Sequence, residues 1–267
     1  QLELAAWHSR VQETLLERLG DAPRDKARAL VDRARLERQR EHTDEAIALY
    51  ERAVTLYQQD RGEGPDGGDG PGLVTAYDNL AAAYIIAERY DEASATIERA
   101  EALAAEVLGF DHPHRGNLMV QAARIAAARG DHAAAVTKQQ AALALFDSAY
   151  GGQHANIAAV LNGLGLELEA LDRTTEARAA YERALDVGTR MLGTDHRQVG
   201  VVKSNLGNLL RRQGHAAEAE ALHRAVREVR ERSSGAAEER YHIMENHADD
   251  LRELGRCEEA EAEYRAA

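Results

Sequence analysis

Apolar residues along the chain return at i, i+3, i+4 and i+7, the spacing of one face of a helix. Tyr77, Leu80, Ala81 and Tyr84 form one such face. The run breaks at Glu88–Asp91, and a second face follows at Ala93, Ile97 and Ala100. The same order of helix, short turn and helix reappears as Leu206, Gly207 and Leu210, then Gln213–Gly214, then Ala219, Leu222 and Val226. Runs of β-branched and aromatic residues alternating with polar ones, the mark of a half-buried strand, are missing. The pattern predicts an all-α protein. Alanine, the strongest helix former, is the commonest residue, and aromatic residues make up only 4%. Helices with so few large anchors must pack at close range.

The pattern also has a fixed step. His112, His154 and His196 are 42 residues apart. Leu80, Ala122, Leu164 and Leu206 keep the same step, as do Ala93, Ala135, Ala177 and Ala219. The next copy slips by one residue, to Gly255 and Ala260, and Ala46 lies 47 residues before Ala93. That longer step contains Arg61–Gly72, with six glycines and two prolines, which predicts a flexible loop over 61–72. Small residues at Ala81, Ala123, Gly165, Gly207 and Ala248 mark where paired helices approach. Gly109, Gly151–Gly152 and Gly193 mark the ends of second helices, and Pro113 the start of the next first helix.

The segments starting at Asp78-Asn-Leu, Asn162-Gly-Leu and Ser204-Asn-Leu, each followed by a second helix with Ala at a set offset, resemble tetratricopeptide repeats. The 42-residue step and the Gly-x-Asp-His boundary resemble the kinesin-light-chain type. The resemblance spans roughly residues 27 to 267, strongest over 72–232. It implies a right-handed superhelical solenoid of antiparallel helix hairpins, with six repeats at 23–60, 72–111, 112–153, 154–195, 196–236 and 237–267. Residues 1–22, with Leu4, Trp7, Val11, Leu15 and Leu19 in register, are a capping helix or half of a further repeat. Tyr50, Tyr84, Tyr90, Tyr181 and Tyr264 occupy signature positions and are expected to pack.

Charge narrows the partners. With 46 acidic and 33 basic residues the net charge is −13, which disfavours nucleic acid. No apolar run is long enough for a membrane span. The single Cys257 excludes an internal disulfide, suits a reducing cytoplasmic compartment, and is expected to be a small buried residue. Arginine outnumbers lysine heavily, which with the alanine excess points to a GC-rich bacterial genome. The chain begins at Gln1 and ends inside a helical pattern, as a piece of a longer protein would.

Candidate chemistry is sparse. His112-Pro-His114 is the tightest histidine pair, but it lacks cysteines or a recurring acid, so no metal site is expected. His215, His223, His242 and His247 are scattered, and Asp249–Asp250 and Glu258–Glu259 read as solvated faces. No metalloprotease, hydrolase, nucleotide or dinucleotide motif is present, so neither catalysis nor a cofactor is expected. The information lies in the polar residues of the first helices. Asn79, Gln121, Asn162, Asn205 and Asn246 form a ladder of amides, joined by Arg124, Asn208, Arg211 and Arg212. The resemblance implies that these residues face a concave groove that takes a peptide segment or a partner helix. An amide grips a peptide backbone through donor and acceptor together, or locks neighbouring helices by the same bonds. The arginines meet acidic groups of a ligand or form a solvated face. The function expected is a non-enzymatic protein-interaction scaffold. The alternative is the sensing or docking arm of a larger bacterial signalling enzyme, such as a protein kinase or signalling NTPase. Self-association through exposed repeat ends is a third reading.

Overall fold

The computed structural model describes residues 22–63, 69–232 and 237–266. These contain twelve α-helices and no strand. They are α1 (Pro23–Gln39), α2 (Thr43–Glu63), α3 (Gly70–Ile86), α4 (Tyr90–Val107), α5 (Pro113–Ala128) and α6 (His132–Tyr150). After them come α7 (Ala155–Ala170), α8 (Thr174–Leu192), α9 (Arg197–Arg212), α10 (Ala216–Arg232), α11 (Ala237–Glu253) and α12 (Cys257–Ala266). Odd-numbered helices are the first, or A, helix of a hairpin, and even-numbered helices the second, or B. Contacts divide the chain into two compact units between Leu145 and Phe146, inside α6. Each unit is an all-α helical-repeat stack.

In the first unit α1 packs on α2 and α3 on α4, while α2 joins α3 and α4 joins α5. In the second the pairs are α7 with α8, α9 with α10 and α11 with α12, joined through α8 with α9 and α10 with α11. A helices also touch one another, α1–α3–α5 in the first unit and α7–α9–α11 in the second.

Local chemistry explains the repetition. Each A helix ends in the same Schellman turn, in which an N–H just past the helix bonds a carbonyl five residues back. His42 N bonds Glu37 O, Arg89 N bonds Tyr84 O, Arg173 N bonds Leu168 O and His215 N bonds Leu210 O, at 2.9–3.0 Å. The turn needs one residue in the left-handed region, supplied by Gly130, Gly214 and Gly255, and elsewhere by Glu41, Glu88 and Asp172 at φ 58–66°. The histidines spaced by 42 residues are helix N-caps. Nδ1 of His112, His154 and His196 accepts from the backbone N–H of His114, Asn156 and Gln198 at 3.1–3.2 Å. Residues 1–21 and 64–68 lie outside the described residues, and with them most of the expected N-terminal helix and the centre of the glycine-rich segment. Helix also enters the range expected as loop. The helix α2 continues to Glu63, and α3 starts at Gly70, where Pro71 occupies the first turn and Asp69 caps it by accepting from Gly72 N at 2.8 Å.

Small residues set the helix spacing. Ala93, Ala135, Ala177, Ala219 and Ala260, the recurring B-helix position, are all buried. Gly165 lies against the ring of Tyr181, and a Cβ at Gly207 would sit 2.6 Å from His223 Nε2. The ring of Tyr181 is fully buried, and its hydroxyl donates to Glu169 Oε1 at 2.5 Å. In the first unit Tyr50 is fully buried, and Tyr84 packs under the Arg89 guanidinium and donates to Glu51 Oε1 at 2.5 Å. Tyr264 departs from its expected packing role. It is 43% exposed, with its hydroxyl donating to Asp249 Oδ1 at 2.5 Å.

Two outcomes follow. Gly165→Ala forces a methyl into the Tyr181 ring and destabilises by about 1–3 kcal/mol despite better helix propensity. Gly200→Ala, whose Cβ meets only Val226 at 3.9 Å, stabilises by roughly 0.5–1 kcal/mol. Urea midpoints measure both. Burial first, then the bond to Glu51 and its charge, push the Tyr84 hydroxyl up from 10.0 to about 12. The folded state therefore keeps this proton when the unfolded chain releases it. The resulting stabilisation is intact below pH 10 and is lost as pH rises through 12. The urea midpoint falls over that window, less steeply for Tyr84→Phe.

Candidate functional site

The A helices of the second unit bring predicted site residues together. Asn205 on α9 donates from Nδ2 to Oδ1 of Asn162 on α7 at 2.9 Å. The two amides are separated by a full repeat in sequence and meet because α7 and α9 are neighbours. This bond uses one group of each amide, leaving the Asn205 carbonyl oxygen and the Asn162 N–H groups without a partner among the described residues. A cavity of about 570 Å³ opens beside them, and Asn205, Asn208 and Asn246 line it.

The arginines are engaged by this chain's own carboxylates. Arg211 is half-buried and bonds Asp249 Oδ2 at 2.9 Å, lies 3.6 Å from Asp250 Oδ1, and reaches Asn208 Oδ1 at 3.5 Å. It thereby ties α9 to α11. Arg212 pairs with Glu169 of α7 and remains largely exposed. Only Arg212 resembles the solvated face expected of both.

The first unit treats its amides differently. Asn79 donates to Thr75 O of its own helix at 2.8 Å. Gln121 on α5 donates to Asp78 Oδ1 on α3 at 3.4 Å and accepts from Arg124 Nη1 at 2.9 Å. Asp78 also faces His114 Nε2 at 3.4 Å. Asn79 and Gln121 therefore lock helix to itself or helix to helix, and the Asn162–Asn205 pair is the one amide–amide bond between repeats among the described residues.

A polar joint between α9, α10 and α11 was not legible along the chain. Asp250, expected on a solvated face, is fully buried, and its Oδ2 lies 2.5 Å from Nδ1 of the buried His223. His223 Nε2 meets Ser204 O at 3.2 Å. Beside this pair His247 Nε2 meets the buried Glu220 at 3.4 Å, and Glu220 also faces Arg224 and Arg256 at 3.3 and 3.4 Å. The available signal was positional. His223 stands one repeat after Tyr181, at a buried position, and His247 stands where three other copies have Leu80, Leu164 and Leu206. Asp250 follows from that burial, since a charge removed from water requires a partner. Cys257 differs as well. It is exposed, because it begins α12 at the turn rather than facing α11.

One group with metal-ligand atoms occurs among the described residues. Glu37, His42 and Glu45 place theirs within 4.8 Å of one another. Internal pairs account for it. The buried Glu37 holds His42 Nδ1 at 2.9 Å and Arg40 at 3.0 Å, and Glu45 faces Arg33 at 3.5 Å. His112 of the histidine pair is a helix cap, as above. Among the described residues no helix is long and apolar enough to cross a membrane.

Stacked helical hairpins with a shared small-residue joint, a common cap and polar A-helix faces define a helical-repeat interaction protein. The chain belongs to the tetratricopeptide repeat family, whose profiles match residues 27–60 and, in overlapping spans, 72–146, 116–190 and 168–232. No curated protein matches it in sequence. Among solved structures it is similar to BtubC (BKLC) from P. vanneervenii, with 19% identity and TM-score 0.74, over 84% of this chain and 89% of that one. It is similar to a putative kinesin light chain with nearly identical repeats from Podosopora anserina, at 22% identity and TM-score 0.62, over 81% and 100%. NprR in complex with its cognate peptide NprX is similar at 15% identity and TM-score 0.61, over 96% and 70%. At these identities the likeness is one of fold, that of tetratricopeptide repeats of the kinesin-light-chain type.

Arg211→Ala leaves a buried and a half-buried carboxylate short of a cation and costs about 2–3 kcal/mol of stability. Arg212→Ala, at an exposed pair, costs less than about 1 kcal/mol. Denaturant titration of both variants checks the contrast.

Proposed function

We propose that the chain is a non-enzymatic interaction scaffold that holds an extended peptide segment or a partner helix along the A-helix row α7–α9–α11. The Asn162–Asn205 pair carries this reading. The two amides fix each other and leave a carbonyl oxygen and N–H donors for a ligand. Donor and acceptor together match a peptide backbone whatever its side chains. Because the pair is already oriented, binding orders fewer side chains than a free asparagine would require. The family supports protein or peptide partners in general, and NprR, whose structure holds a peptide, shares the fold.

Arg211 contributes as a strut in this reading, since its charge is spent on Asp249 and Asp250. In the first unit Asn79 and Gln121 serve the helix joints, so the second unit is the binding half.

A randomised peptide array probed with the chain supplies ligands, and fluorescence anisotropy measures them. Asn162→Ala and Asn205→Ala each weaken a recovered peptide at least tenfold while costing only about 1 kcal/mol of stability for the lost amide–amide bond, whereas Asn79→Ala leaves its affinity as it was. Unchanged binding in both second-unit variants overturns the assignment.

A further inference from the structure

The last hairpin, α11–α12, docks with little apolar contact. Its buried apolar residues, among those described, are Ala248, Leu251 and Ala260, whereas α7 alone buries six between Ile157 and Leu168. Charge takes the place of that contact. His223 on α10 and His247 on α11 are both buried, and each has an oxygen acceptor at both ring nitrogens. Nδ1 of His223 faces Asp250 Oδ2 of α11 at 2.5 Å, and its Nε2 faces the Ser204 carbonyl of α9 at 3.2 Å. Nε2 of His247 faces Glu220 Oε1 of α10 at 3.4 Å, and its Nδ1 faces Glu263 Oε1 of α12 at 3.5 Å.

A neutral imidazole carries one N–H and one lone pair. Between two oxygens its lone pair would point at another lone pair, in a site closed to water. Only the imidazolium, with an N–H at each nitrogen, matches both surroundings. The other charges packed here do not remove that need. Arg211 of α9 lies 3.6 Å from Asp250 Oδ1 and bonds Asp249, which also meets Arg252 and the Tyr264 hydroxyl. Glu220 faces Arg224 of α10 and Arg256 before α12, and Glu263 faces Arg227 of α10 at 3.1 Å. The arginines keep their charge at any physiological pH, so above the range in which carboxylates take up protons the two imidazoles are the titrating members of the joint. Both are buried while the hairpin is docked and return to water when it leaves.

We propose that the α11–α12 hairpin is a proton-operated clasp, docked on α9 and α10 while both imidazoles are protonated and released from the stack when they lose their protons. The docked state holds protons that the released hairpin gives up. By linkage, docking is fully supported on the acid side of the imidazole titration and is lost as pH rises through it. Release takes α11 out of the A-helix row and uncovers the faces of α9 and α10 beneath it. The proposal does not rest on peptide binding, since docking is read on the chain with no ligand.

Histidine-selective 15N NMR and hydrogen exchange on the full chain test it between about pH 6 and 10, a window that spans the ordinary imidazole value of about 6.5 and stays below the Tyr84 transition. At the acid end both ring nitrogens of His223 and His247 carry protons. Across the window the exchange protection of α11 and α12, corrected for the intrinsic rate, falls at least tenfold. Its midpoint is that at which the two imidazoles lose their protons, and protection in α7 and α8 holds. His247→Leu and His223→Tyr install the side chains of Leu206 and Tyr181, the matching positions one repeat earlier, and each flattens the transition. His215→Gln, at an exposed histidine of the same unit, leaves it as it was. Should His223→Tyr fail to fold, Asp250→Asn gives the same flattening, because the new amide can donate to the lone pair of a neutral ring. A neutral ring at either histidine at the acid end, pH-independent protection of the hairpin, or an equal loss in α7 and α8 overturns the proposal. So does an unchanged transition in both His247→Leu and Asp250→Asn.

Discussion

The architecture depends on the close approach of the two helices in each hairpin. One small residue on the A helix faces a B-helix side chain sixteen positions later. Gly165 faces Tyr181 and Gly207 faces His223, with no room for a Cβ between them. A single hairpin cannot cover its own apolar stripe, so this joint must recur at a constant step for neighbouring repeats to meet in register. The Schellman turns and histidine caps serve the same end. They stop each helix at a repeating length, so that the A helices fall beside one another and their polar residues align.

The joint also explains where the second unit turns polar. At Tyr181 the B-helix side chain is an aromatic ring whose hydroxyl reaches Glu169. One repeat later the position holds His223, and an imidazole excluded from water needs partners at both nitrogens. Asp250 and the Ser204 carbonyl provide them, Asp250 draws Arg211 near, and Arg211 holds Asp249. One substitution in the repeat signature thus propagates into an ionic joint between α9, α10 and α11. Such a joint is directional. It fixes how the last hairpin docks, at the cost of desolvating charges that an apolar contact would not carry.

That joint bears on function through the A-helix face. Arg211 is drawn away from ligand contact, and the amides of Asn162 and Asn205 are left as the oriented polar pair. Among the described residues the first unit has no equivalent amide pair, because Asn79 bonds its own helix and Gln121 bonds Asp78. Repeats alike in sequence pattern have therefore divided their roles according to which polar neighbour each amide finds.

Much of this was legible along the chain. Helix class, the 42-residue step, the hairpin order and the small residues at Gly165 and Gly207 follow from local preference and periodicity, which act between residues close in sequence. The recurring histidines were visible as boundaries, though their capping role needed the backbone geometry. Pairings between residues some forty positions apart were not legible. Asp249–Asp250 and Cys257 carry the same local pattern whether buried or exposed, and their fates differ because α11 is clamped against α10 while the start of α12 is not. Local sequence determines which elements form and how often they recur. Which polar side chain meets which is decided only when the hairpins stack, because burial and hydrogen-bond partners are properties of the neighbouring repeat.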